Sequence, residues 1–262
     1  MSGIWFVTLS RLREPAFVMI FLVGCVMSYL FAGVGTFELT SVAAAEEVAA
    51  VDPASADILL GTVLLTVLGM LITVFIAASE VPRDITSRMI AIYMSKPVSR
   101  GGYIFGKFLG SLSIGLVFSV IWLTVMMVVR YKFRDITEHP TPGSLLNQYL
   151  CLLMLVPTCA VSISISCFFS DVIAMVLTCI YVLSSFVVAL IPFVIRILDD
   201  DLMTKIVLLP PYYLMPNLSY YVRVNGTIME FVALAVYTVC TSGIFLLIGR
   251  WRFNRGDIFD RG

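Results

Sequence analysis

Gly101-Gly102-Tyr103-Ile104-Phe105-Gly106-Lys107 has the G-x-x-x-x-G-K spacing that lets backbone N–H groups cradle a nucleotide's phosphates. The next residue is Phe108, where a Ser or Thr hydroxyl would have to reach magnesium. No strand pattern precedes the glycines and a long apolar run follows them, so the spacing does not describe a phosphate loop. The glycines suit close backbone packing at the mouth of a helix, with Lys107 extending its stem to the membrane surface. Cys25, Cys151, Cys159, Cys167, Cys179 and Cys240 all lie in apolar segments. Three of them recur every eight residues, and each step turns about 80° around a helix, so they spiral instead of converging on a metal. They read as soft packing residues. His139 is the only histidine, which leaves no histidine-based catalytic arrangement. The chain therefore reads as non-catalytic, with no cofactor or metal of its own.

The residues that can do work by contact lie just upstream. Ile85, Met89 and Ile92 fall at i, i+4 and i+7, one stripe of a short helix. Arg83, Asp84 and Arg88 flank the stripe, and Pro97 disfavours helix at Lys96, ending it. An amphipathic helix between two apolar runs suits docking into a groove on another protein.

The elements that position this stripe follow from composition. The chain is 60% hydrophobic and 13% charged, with a mean hydropathy of +1.01. Soluble domains hold roughly 45–50% apolar and about 25% charged residues. A bilayer core takes about 20 apolar residues per helix. Six segments qualify, at 15–35, 58–79, 106–129, 147–169, 172–195 and 228–249. The expected fold is one all-α integral membrane domain over residues 1–262, with six transmembrane helices. The first run follows Arg11 and Arg13 and lacks a small-residue cleavage site at a suitable distance, so it reads as a span and not a signal peptide.

Charge sets the orientation. With the N-terminus inside, the inner segments hold Arg11, Arg13, Arg83, Arg88, Lys96, Arg100, Lys107, Arg250, Arg252, Arg255 and Arg261, against Glu14, Glu80, Asp84, Asp171, Asp257 and Asp260. The outer segments hold the other 6 basic and 11 acidic residues, so zero net charge hides a split of +5 inside and −5 outside. The positive-inside bias then places both termini in the cytoplasm. Only Arg130-Tyr131-Lys132-Phe133-Arg134 dissents.

Residues 3–14 read as an interfacial helix, with Trp5, Leu9 and Leu12 on one face, or else as a tail. The acidic loop 36–57 is too short to fold as a domain. Between the last two spans, Arg196 to Gly226 opens with three aspartates and turns apolar and aromatic through Pro210, Pro211, Tyr212, Tyr213, Pro216, Tyr220 and Tyr221. Prolines this dense forbid a continuous span, and tyrosines suit the headgroup layer. The stretch reads as short helices dipping into the outer leaflet or as a loop with aromatic anchors. The spans lack central ionisable residues, which ion-driven carriers use as coupling devices. Span four holds Thr158, Ser162, Ser164 and Ser166, suited to helix–helix contact.

Residues 80–110 resemble the cytoplasmic coupling region of ABC-transporter permeases of the second exporter subclass, six-span subunits encoded apart from their ATPase. The resemblance is carried by Ser95-Lys96-Pro97-Val98-Ser99-Arg100, by Tyr103-Ile104-Phe105-Gly106-Lys107-Phe108-Leu109-Gly110 and by Glu80-Val81-Pro82-Arg83-Asp84-Ile85. It departs at Thr86, Arg88 and Met89, where many relatives carry an acidic residue and a Gly-Thr or Arg-Thr pair. It implies that Glu80, Arg83, Asp84, Ile85, Arg88, Met89, Ile92, Ser95, Lys96, Pro97 and Arg100 form the ATPase-docking region. It also implies re-entrant outer helices before span six, with Tyr212, Tyr213, Tyr220 and Tyr221 as an outer gate. The implied partners are an ABC ATPase that binds ATP and magnesium, a second permease copy or paralogue, membrane lipids and a periplasmic or lipoprotein partner; nucleic acid is not among them.

Three functions fit these features. The first is the transport subunit of an ATP-driven exporter in the cell inner membrane. The second is a scaffold or mechanotransmission subunit of a larger ABC-type complex, without transport of its own. The third is a secondary transporter, disfavoured by charge-free spans and by a docking helix that would have no job.

Overall fold

The computed structural model describes residues 22–26, 53–95, 99–133, 150–189, 221 and 228–255. They form helix α1 (Pro53–Thr86), the six-residue α2 (Met89–Met94), α3 (Arg100–Phe133), a 3-10 turn (Cys151–Met154), α4 (Leu155–Ser166), α5 (Asp171–Ala189) and α6 (Ile228–Arg255). Residues 22–26 are helical as well. Among the described residues there is no strand. Leu64–Thr86, Arg100–Val129 and Phe231–Asn254 are long and apolar enough to cross a membrane, while Cys151–Ser166 and Asp171–Ser185 are shorter apolar helices. The expected interfacial helix 3–14, most of span one, most of the loop 36–57 and most of 196–226 lie outside the described residues; residues 53–57, expected as the end of that loop, instead begin α1.

Hydroxyls inside these apolar helices bond back to their own backbone. Thr66 donates to Thr62 O, Thr73 to Gly69 O and Thr86 to Pro82 O, at 2.8–2.9 Å. Such bonds let a helix carry Thr without exposing an unmet polar group to lipid. Pro82 sits inside α1 and removes one backbone donor, a loss that packed apolar helices tolerate.

α1 and α3 run antiparallel, and small residues set their approach. A Cβ on Gly69 would stand 2.1 Å from Ser119 Oγ, and one on Gly115 would stand 2.1 Å from Thr73 Oγ1. Each helix thus offers a glycine to the other's hydroxyl, four residues from a hydroxyl of its own. Without a hydrophobic drive between helices in lipid, close backbone approach of this kind is what holds them. Gly24 lies equally close to the Trp122 ring, which brings the 22–26 segment against α3.

α4 is the hub. It packs against α1, α3, α5 and α6 and is buried almost all round. Of the four expected contact residues of span four, two meet another helix: Ser162 Oγ donates to Val74 O of α1 at 3.4 Å, and Ser164 Cα lies 3.2 Å from where a Gly249 Cβ of α6 would be. The Thr158 and Ser166 hydroxyls donate within their own segment, to Met154 O and Ile163 O. Cys159 reaches Phe108 O of α3 and Cys151 reaches Tyr221 O, so these thiols fill separate contacts. By contrast α5 leaves Val172, Ile173, Val176, Ile180 and Leu183 exposed along one face, and α6 leaves Val232, Val236, Val239 and Leu247 exposed. Apolar faces turned outward are what lipid or another membrane subunit covers.

Candidate docking and coupling site

The expected stripe of Ile85, Met89 and Ile92 is not one helix. α1 continues past residue 79 to Thr86, carrying Ile85 with it, and a turn at Ser87-Arg88 precedes α2. Ser87 N–H bonds Arg83 O and Arg88 N–H bonds Ile85 O, while Arg88 takes φ 57°. A left-handed residue just past a helix end stops it and re-aims the chain. Glycine fills that role most easily, so an arginine there stores local strain. Ile85 is half-buried against the core, whereas Met89 and Ile92 stay exposed at 40% and 55% on the new helix. Between them Ile90 is buried at 2% and ties α2 to the core.

The flanking charges divide in the same way. Arg83, Arg88, Ser95 and Arg100 are exposed. Glu80 and Asp84 point inward and are buried. Lys107, read from sequence as reaching toward the membrane surface, is fully buried instead. Its Nζ donates to Glu80 Oε2 at 2.6 Å and to Asp84 Oδ2 at 2.8 Å. Asp84 Oδ2 also accepts from the Tyr103 hydroxyl at 2.7 Å. Glu80 and Asp84 lie one turn apart on α1, and Tyr103 and Lys107 one turn apart on α3, so each pair faces the other across the seam. The ammonium further lies 5.9 Å from the Tyr103 ring centre. Two carboxylates and a lysine out of water are costly unless they satisfy one another, and removing any one leaves the rest exposed to that cost.

The G-x-x-x-x-G-K spacing is therefore a piece of helix α3 with its lysine turned inward, and forms no loop around a phosphate. The Ser99 hydroxyl accepts from Gly102 N–H at 3.1 Å, which caps the start of α3. Arg100 donates to Asn254 O, a carbonyl near the end of α6, at 3.1 Å. Tyr103 stacks on Phe253 of α6 with ring centres 5.5 Å apart, and tilts against Tyr93 of α2 at 6.0 Å.

A shallow groove opens beside this region, lined by Ser79, Pro82, Arg83, Ile85 and Thr86 from α1 and by Phe169, Ser170 and Asp171 from the turn into α5. Asp171 caps α5 by accepting from Val172 N–H at 2.9 Å. Sequence reasoning did not single out Phe169, at the end of expected span four, or Ser170 and Asp171, between spans four and five. It also passed over Tyr103, Lys107 and Phe253 as site residues, because their partners lie far away in the chain.

The arrangement is a short, partly apolar helix that connects the two arms of a charge-paired helical hairpin, with exposed Arg83, Arg88 and Arg100 in the adjoining segments. A profile described as ABC-2 family transporter protein matches residues 36–251. The chain belongs to the ABC-2 transporter family. It is thus a permease subunit of an ABC transporter and a multi-pass membrane protein, and membership implies an ABC ATPase as its partner. Subunits of this family are transport subunits, not normally catalytic themselves. No curated protein matches the chain.

Of the residues expected at the ATPase contact, the fold brings Arg83, Arg88, Met89, Ile92 and Ser95 of the permease to an exposed surface. It turns Glu80 and Asp84 inward. Lys96 and Pro97 lie outside the described residues. Of the expected gate, Tyr221 is buried, with its hydroxyl 2.9 Å from Thr238 Oγ1 of α6. Tyr212, Tyr213 and Tyr220 lie outside the described residues.

Proposed function

We propose that this permease couples ATP hydrolysis by a separate ATPase to export of a substrate across the cell inner membrane, with α2 as the docking helix. The observation that carries this reading is the Lys107 pairing with Glu80 and Asp84, which ties together the two helices that α2, with its exposed Met89 and Ile92, connects. A docking helix transmits force only if its base is stiff, and a buried charge cluster resists being pulled apart. Arg83, Arg88 and Arg100 supply positive charge that an acidic rim on the ATPase would complement. Ser95, Lys96 and Pro97 complete the contact in this reading. The chain itself holds no cofactor; ATP and magnesium bind the ATPase.

Both termini face the cytoplasm in this arrangement, in keeping with the inner excess of basic residues. Two permease copies, or this chain and a paralogue, face each other through spans two and five above two ATPase subunits. The exposed apolar face of α5 supports that pairing. The cargo is amphiphilic or hydrophobic, leaving past Tyr212, Tyr213, Tyr220 and Tyr221, with a periplasmic or lipoprotein partner beyond.

The test is to purify the tagged permease from its native membrane, identify the copurifying subunits and measure ATP turnover in lipid nanodiscs. Two ATPase and two permease subunits, with turnover above that of the ATPase alone, are expected. Purification without an ATPase, or with a single permease per ATPase pair, would overturn the reading. Cysteine in place of Ile180 should crosslink between copies.

A further inference from the structure

The docking helix is expected to drive the two spans it joins, α1 and α3. The side chains around it also lead elsewhere. Tyr103 touches three other elements at once: its hydroxyl bonds Asp84 of α1 at 2.7 Å, its ring tilts on Tyr93 of α2, and it stacks on Phe253 of α6 at 18° between planes. Both Tyr103 and Phe253 are buried. A second contact runs beside the stack, where Arg100 of α3 donates to Asn254 O at 3.1 Å. A third lies beside it. A Cβ on Gly101 would stand 3.1 Å from Arg250 Nε, so that guanidinium lies against the first turn of α3. Three consecutive contacts within one and a half turns join the end of α6 to the beginning of α3.

We propose that the C-terminal turns of α6 are a positioning element for the docking helix, so that movement at α2 passes into the last span directly as well as into α1 and α3. The inference rests on the coupling reading above. Phe253, Asn254 and Arg250 hold the start of α3, and the Tyr93–Tyr103–Phe253 stack carries the position of α2 to α6. Aromatic pairs in these geometries are held beyond simple burial, and packed chains with few alternative arrangements transmit displacement. Higher up, the backbone of α6 at Gly249 lies against α4, and Arg252 sits 5.8 Å from the Phe168 ring centre. The end of α6 is therefore held on its inner side by both α3 and the region of α4.

Two experiments on the intact complex test this. In the first, Phe253→Ala should lower permease-dependent ATP turnover about three- to tenfold, within the range that mutations along a packed coupling network reach. The ATPase should still copurify. Phe253→Leu, which keeps apolar bulk, should recover most of the loss. Unchanged turnover in Phe253→Ala, or equal loss in both variants, would overturn the proposal. The second does not depend on that variant folding. Gly101→Cys paired with Arg250→Cys is oxidised to join α3 to α6. The joined complex should hydrolyse ATP at close to its reduced rate, because the two ends move together. Turnover that stops on oxidation and returns on reduction would show that the ends must part, and would sink the idea. If no ATPase accompanies the wild-type chain, the coupling reading has failed instead, which is a separate result.

Discussion

Gly115 of α3 lies so close to Thr73 of α1 that a Cβ there would stand 2.1 Å from the threonine Oγ1. That hydroxyl is already committed, since it donates to Gly69 O at 2.8 Å. Any side chain at 115 must therefore break the bond or push the helices apart. The same seam continues to the paired charges, so its spacing also sets how Lys107 meets Glu80 and Asp84.

Gly115→Ala should accordingly destabilise the permease by about 1–3 kcal/mol, the usual cost of overpacking a filled contact. Gly243 of α6 makes the control, because a Cβ there would meet nothing within 4 Å. Gly243→Ala should be neutral or stabilising by about 0.5–1 kcal/mol, because alanine loses less freedom than glycine in a helix. Thermal unfolding of the detergent-solubilised protein checks both. Equal melting temperatures for the two variants would mean that the seam is looser than described.

Lys107→Met leaves two neighbouring buried carboxylates of α1 without their cation, and should cost about 3–5 kcal/mol. Neutralising the whole cluster, with Lys107→Met, Glu80→Gln and Asp84→Asn together, should recover much of that loss. The comparison separates the penalty of an unmet charge from the worth of the pairing. A triple variant less stable than Lys107→Met alone would contradict it.

Much of the fold could be read from the chain because long apolar runs have few alternatives in a membrane. The spans at 58–79, 106–129 and 228–249 all fall inside helices α1, α3 and α6. Their ends could not be read that way. Glu80 and Asp84 look like surface charges in any local window, and their partner Lys107 is 27 residues from Glu80. The helix continues through them because that pairing satisfies them in the interior. The docking stripe misled for a related reason. Spacing of i, i+4 and i+7 describes an unbroken helix, and nothing in it registers that Arg88 would adopt a left-handed backbone. Among the described residues of expected span four, a 3-10 turn at Cys151–Met154 precedes the 12-residue helix Leu155–Ser166, an irregularity that apolar composition does not signal.

Topology offers a direct check. Membrane-impermeant thiol reagents should label cysteines placed at Arg88 or Ser95 only from the cytoplasmic side. Cysteines placed at residues 38–57 or 199–226 should label only from outside. The inner excess of five positive charges motivates this expectation. Labelling of Ser99→Cys from outside would remove the docking helix from reach of any ATPase.

The docking face itself can be tested against its own buried neighbour. Met89 and Ile92 are exposed on α2, and Ile90 between them is buried at 2%. An aspartate at Ile90 would place an unpaired charge in the core, which costs several kcal/mol and should reduce the yield of folded protein. Met89→Asp or Ile92→Asp should leave yield and melting temperature close to wild type, since each charge stays in water in the free permease. The same substitutions should then remove the ATPase from the purified complex, because docking would bury that charge without a partner. Pull-down of the ATPase alongside thermal unfolding separates the two classes. If Met89→Asp and Ile92→Asp both retain the ATPase at wild-type levels and turnover, α2 is not the docking helix and another part of the permease must carry the contact.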